Sequence, residues 1–186
     1  IQLMFGFVDD DGNRQFREVL WLIGRKNGKT SLGAALELYM LIADGEGAPQ
    51  IYNAATSRDQ ASLAYGAVWK MVRKSSKLSK RVRKGTVVER DADGLIFDAN
   101  FGYITTLSSQ TRHLDGLDVH FALFDEIAAC VNRDMYDLVY DAMGSRSQPM
   151  MLCITTNGFE RNNIFDDRYA YGCKILDVEI DDDMLL

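Results

Sequence analysis

The segment Trp21-Leu22-Ile23-Gly24-Arg25-Lys26-Asn27-Gly28-Lys29-Thr30-Ser31 constrains the fold more than any other part of the chain. An apolar run from Phe16 to Ile23 leads into Gly-Lys-Thr, and a helical pattern leaves it, with Leu32, Leu36, Tyr39 and Met40 on one face up to Ile42. Strand, loop and helix in that order make a phosphate-binding loop. Backbone N–H groups around Gly28 can wrap a polyphosphate, the Lys29 ammonium can reach its outer phosphates, and the Thr30 hydroxyl can serve Mg²⁺. The full pattern G-x-x-x-x-G-K-[ST] wants glycine at 23; this chain has Ile23, with Gly24 one place late. Arg25, inside the loop, adds a guanidinium that can contact phosphates bidentately.

The remaining runs alternate. Gln50 to Ala54 reads as a second strand, and Ser57 as the N-cap of a helix reaching about Arg73 with Ala61, Leu63, Ala64, Val68, Met71 and Val72 on its apolar stripe. Val87-Val88 and Leu95-Ile96-Phe97 flank Asp91 to Gly94, which predicts a β-hairpin with an Asp-Gly turn. Strands follow at Tyr103 to Leu107, Val119 to Phe124 and Met150 to Thr155, with helices over Arg133 to Met143 and Asn163 to Leu176. The pattern implies a mainly parallel sheet with helices on its faces, apart from the hairpin.

Length and composition fit one α/β domain. No apolar run is long enough to span a membrane, so no membrane partner is expected. Without an initiator methionine or a signal-peptide flank, the chain is expected to begin in mid-protein. Cys130, Cys153 and Cys173 lack a C-x-x-C spacing, which supports neither a disulfide framework nor zinc, and His113 and His120 read as ordinary structural or surface residues. A net charge of −6 argues against a general nucleic-acid-binding surface. The densest basic cluster is Arg73, Lys74, Lys77, Lys80, Arg81, Arg83 and Lys84, which reads first as a solvated helix end and loop.

In an open parallel sheet, ligands gather at the carboxyl ends of the strands, and three of these strands end in chemically active residues. Gly28-Lys29-Thr30 follows the first. Asp125-Glu126 ends another, with Asp125 suited to hold Mg²⁺ and Glu126 to deprotonate an attacking water. Thr155-Thr156-Asn157 ends the third, with hydroxyl and amide groups able to report a γ-phosphate.

Together with Ala54-Ala55-Thr56-Ser57-Arg58-Asp59-Gln60-Ala61, Leu114-Asp115-Gly116 and Phe121 to Glu126, these motifs resemble the ATPase domain of a tailed-phage terminase large subunit, from about residue 5 to 176. The resemblance implies a three-layer α/β P-loop NTPase of the ASCE, RecA-like class, with a mainly parallel central sheet plus a β-hairpin. It implies an ATP- and Mg²⁺-dependent motor that packages double-stranded DNA into a procapsid. It also accounts for the off-pattern loop, since the family carries a deviant Walker A with a basic residue where Arg25 stands. Arg25, Lys26, Asn27, Gly28, Lys29, Thr30 and Ser31 would then cradle nucleotide, with Thr155, Thr156 and Asn157 as the coupling motif. Thr30 and Asp125 would serve the metal. Glu126 would be the catalytic carboxylate, with Arg25 and a trans-acting arginine finger beside it; Arg112 is the nearest candidate for that finger and Arg146 the alternative.

The same resemblance implies a portal protein and a terminase small subunit as partners, a homo-oligomeric ring, and the bacterial host's cytoplasm as the setting. The adenine-contacting glutamine is expected upstream of Phe5, since Gln2 lies too near the loop. A C-terminal nuclease is expected outside residues 1–186, with 177–186 starting a linker; Asp181-Asp182-Asp183 reads as a solvated acidic segment. A superfamily-2-like helicase or translocase ATPase domain is the alternative, because it shares the loop, Asp-Glu and a Thr-rich third motif.

Overall fold

In the computed structural model, residues 1–55, 57–87, 90–108, 116–130, 133–156, 163–182 and 184–185 are described. Seven strands form one sheet: β1 (Glu18–Leu22), β2 (Gln50–Ala55), β3 (Val82–Val87), β4 (Ala92–Phe97), β5 (Gly102–Ser108), β6 (Val119–Asp125) and β7 (Met150–Thr155), in the order β1-β7-β6-β2-β5-β4-β3. The five strands from β1 to β5 along that order pair in parallel. Antiparallel pairing of β4 with β5 and β3 with β4 adds the hairpin. The expected fold class is the observed one.

Helices cover both faces, and the sequence alternation says which. On one face α2 (Lys29–Ile42) and α3 (Arg58–Lys74) bury Ala34, Leu41, Ala64 and Val68 against Ile51, Phe121, Leu123 and Ile154. On the other, α4 (Asp134–Asp141) and α5 (Ile164–Leu176) bury Tyr136, Val139 and Phe165 against Tyr52, Phe124 and Cys153. β6 and β7 are buried on both sides, which is why they read as continuous apolar runs.

Local signals set the helix ends. The Ser57 hydroxyl accepts from the Gln60 N–H, and Asn163 forms a reciprocal capping box with Asp166. A short helix that the sequence reading missed, α1 (Gln2–Gly6), buries Met4 and sets Phe5 edge-on to Tyr39, with ring centroids 5.1 Å apart.

The hairpin needs a correction. Its strands are longer than expected, Val87 pairs with Ala92, and the turn lies before Asp93-Gly94. Gly94 sits inside β4 opposite Gly85, where an added Cβ would stand 2.4 Å from Val87 Cγ2 and 3.0 Å from the Ile104 carbonyl oxygen. The glycine serves close packing there, not a turn. Among the described residues the three cysteines are free, and no helix is long and apolar enough to cross a membrane.

Candidate nucleotide site

β1 delivers the chain to the loop, and the loop closes on itself. Asn27 Nδ2 donates to the Gly24 carbonyl at 3.1 Å. Lys26 takes φ 66°, and Gly28, the N-cap of α2, takes φ 73°, a left-handed conformation that glycine adopts without steric cost. The helix therefore starts at Lys29, three residues earlier than its apolar pattern, and its first-turn N–H groups face the loop. Arg25 is exposed and lines a cleft of about 440 Å³ with Leu22, Ile23, Gly24 and Thr156. Ser31 is exposed on the first helical turn.

Two pairs of groups expected to act together meet here. The Thr30 hydroxyl donates to Asp125 Oδ2 at 2.9 Å, and Lys29 Nζ forms an ion pair with Glu126 Oε1. Glu126 is also held from β7: the Thr156 N–H and the Thr155 hydroxyl each donate to its Oε2 at 3.3 Å, and the Thr156 hydroxyl lies at 3.5 Å. Its backbone is left-handed at φ 63°, anchored by its N–H to the Ile154 carbonyl at 2.8 Å. Six expected residues from three strand ends thus share one small volume. Asn157 and Arg112 lie outside the described residues.

The two neighbouring carboxyls differ in environment. Burial raises the pKa of Asp125, with the charge of Glu126 adding to it, against the Thr30 bond and the Lys29 charge. Its Oδ1 is buried without a hydrogen-bond partner among the described residues. Burial acts on Glu126 too, but the Lys29 bond and charge and the donors of Thr155 and Thr156 outweigh it and hold the carboxyl below its ordinary range.

Arg146 is not available as an arginine finger. Its guanidinium bonds Asp118 at 2.6 and 2.8 Å, Glu46 at 2.6 Å and the Gly47 and Ala48 carbonyls, at the opposite end of the sheet. His120 is buried and bonds Asp44 Oδ2 at 2.8 Å, a structural role as expected. Sequence reasoning missed Glu37 and Asn53, a buried polar pair behind the loop, although each is a lone polar break in an apolar element. The seven-residue basic cluster is exposed; Lys84 Nζ stands 4.9 Å from the Trp69 ring centroid, and only Arg83 has an ion pair among the described residues, with Asp98.

Comparison with known proteins decides the lineage. The family described as terminase large subunit, ATPase domain, matches residues 1–174. The chain belongs to that family. A curated relative, the terminase large subunit of Enterobacteria phage HK97, is 30% identical over 137 residues, covering 72% of this chain and 26% of the relative. The crystal structure of the HK97 large terminase superposes with a TM-score of 0.80 at 24% identity, over 95% of this chain and 36% of that one. The large terminase of a thermophilic bacteriophage follows at 0.66 and 12% identity, over 100% of this chain and 43% of that one. That thermophilic phage protein has also been solved in complex with ATP-gamma-S, which matches at 0.57 and 10% identity over 76% of this chain and 32% of that one. The terminase match takes the chain away from the helicase alternative, and the chain spans about a quarter of its curated relative.

Proposed function

We propose that this terminase domain hydrolyses ATP with Mg²⁺ and drives packaging of double-stranded viral DNA into a procapsid. The meeting of Lys29, Thr30, Asp125, Glu126 and Thr156 supports this reading most directly. Lys29 and the loop N–H groups from Arg25 to Ser31 bind the phosphates. The donor set fits Mg²⁺: the Thr30 hydroxyl and the Asp125 carboxylate are hard oxygens, and Asp125 Oδ1 is a buried acceptor with no protein partner. When bound, the ion supplies charge neutralisation at the phosphate oxygens. A polyphosphate drawn to Lys29 competes with Glu126 for that ammonium. Glu126, once freed, accepts a proton from the water that attacks the γ-phosphorus, while Thr155 and Thr156 hold the carboxylate and the Thr155-Thr156-Asn157 motif senses the phosphate.

The reading extends to a ring of copies in the host cytoplasm, with a portal protein, a terminase small subunit and a trans-acting arginine such as Arg112. The basic surface from Arg73 to Lys84 suits a duplex backbone: its cations are exposed and most have no acid to neutralise them among the described residues. The function is tested by DNA-stimulated ATP hydrolysis in the full-length protein. Glu126→Gln is expected to lower it on the order of 10²- to 10⁴-fold, and unchanged turnover would remove Glu126 from its role. Replacing Lys77 and Lys80 with glutamate is expected to flatten the dependence of log K for duplex binding on log salt by about 0.9 per lost phosphate contact.

A further inference from the structure

Behind the phosphate loop, α2 carries one acid in an otherwise apolar stretch. Glu37 is 0% exposed and Asn53 of β2 is 1% exposed. Asn53 Nδ2 donates to Glu37 Oε2 at 2.8 Å, and the second oxygen of each, Glu37 Oε1 and Asn53 Oδ1, is buried with no hydrogen-bond partner among the described residues. Among the described residues no base forms an ion pair with Glu37; burial, the Asn53 bond and the charge of Asp125 act on it. An ionised carboxylate at this place would keep a full charge in an apolar layer with one neutral donor. Two acceptor oxygens cannot bond each other, but one proton on the carboxyl makes it a donor. A carboxylic acid and a primary amide are complementary: the amide N–H serves one carboxyl oxygen and the carboxyl O–H serves the amide oxygen.

We infer that the Glu37–Asn53 pair is a positioning device, working with Glu37 as the neutral acid, that ties α2 to β2 and thereby sets Thr30 against Asp125. Glu37 lies two helical turns, about 10 Å, beyond Thr30 on the same helix. Asn53 is in register with Leu123, two residues before Asp125 on β6. The pair therefore bridges the two elements whose ends must meet at the metal-binding groups. Burial pushes the Glu37 carboxyl up to about 8, against the Asn53 bond and with the help of Asp125. Of the elements in this layer, β6 presents Asp125 to it, β2 presents Asn53, and β5 and α3 contribute the apolar Ile104, Ala64 and Val68. Lys29 and its partner Glu126 stand at the start of α2. Ionising Glu37 breaks its bond to the amide oxygen and adds a second negative charge behind Asp125.

The inference rests on the hydrolysis reading above, and two measurements on the full-length protein, with duplex DNA present for turnover, separate the two. The first is the pH profile of ATP turnover for wild type and Glu37→Gln, whose amide can make both bonds at any pH. Wild-type kcat is expected to fall above about pH 8, tending to tenfold per unit, and the variant is expected to lack that limb up to pH 9.5; the shape is the readout, not the level at pH 7. The second is the denaturation midpoint of both proteins from pH 6 to 9.5, expected to decline up to about pH 8 and then level for wild type, and to stay flat for the variant. Parallel curves in either measurement overturn the inference, and so does a Gln variant that fails to fold at pH 7. A wild type without ATP turnover at any pH sinks the hydrolysis reading, while the midpoints still decide whether Glu37 keeps its proton in the fold.

Discussion

Both ends of this sheet are crowded with charge, yet they are built differently. At the amino ends of the strands, Arg14 pairs with Asp44, His120 bonds the same carboxylate, and Arg146 spans Asp118 and Glu46. Each carboxylate there faces a base, and the buried nitrogens without a hydrogen-bond partner among the described residues are Arg14 Nε and His120 Nδ1, the latter 3.8 Å from Glu46 Oε2. At the carboxyl ends, the buried side-chain atoms without a hydrogen-bond partner among the described residues include three oxygens, Asp125 Oδ1, Glu37 Oε1 and Asn53 Oδ1. Unmatched carboxyl and amide oxygens call for a cation or a proton, and the N–H of an arginine beside saturated acids does not. Charge density does not tell a site from a scaffold; the sign of what remains unsatisfied does.

The contrast can be broken at several points. Glu126→Gln has the largest expected effect on function, and if the carboxyl end is a site and not a scaffold, it should leave the denaturation midpoint nearly unchanged while turnover collapses. Asp44→Asn should do the reverse. The Asp44 side chain is 2% exposed, so removing its charge strands Arg14 and His120 and is expected to cost about 3–5 kcal/mol in denaturant titrations, with turnover per folded molecule retained. A site defect in Asp44→Asn without loss of stability would erase the distinction.

A smaller and more diagnostic effect is the direction of pH dependence. Burial works against Asp44, but its bonds to His120 and Arg14 hold it below its ordinary value of 3.8. Its contribution to stability is thus present above pH 3.8 and lost as pH falls through the lowered value. Glu37 has the opposite sign: raised from 4.5 to about 8, its contribution is complete below pH 4.5 and is lost as pH rises to 8. Stability measured from pH 3 to 9 should therefore fall below pH 3.8 and also decline between pH 4.5 and about 8, levelling off above that, with Asp44→Asn flattening the acid limb and Glu37→Gln the second decline.

Much of this was legible in the chain because it is local. β7 is a continuous apolar run, and Ser57 and Asn163 are side chains that cap their own helices. The two carboxyls and the Gly-Lys-Thr loop were legible because each ends a buried strand. The Gly94 turn was misplaced because an Asp-Gly pair signals a turn only if no neighbour needs the space, and Val87 comes from the other strand. Arg146 was open as a finger because its acids, Asp118 and Glu46, lie 28 and 100 residues away in sequence. Glu37 and Asn53 were visible as breaks in apolar runs, but their partnership depends on how α2 lies across β2.

The backbone of Glu126 has a consequence for anyone who engineers this domain. A side chain at φ 63° is disfavoured by about 1–2 kcal/mol relative to glycine, and the ion pair with Lys29, a third exposed at the carboxylate, offsets only part of that. A directed-evolution screen that rewards heat tolerance without assaying turnover would accordingly drift toward glycine or asparagine at this position. Its most robust winners would lack the carboxylate proposed to carry turnover.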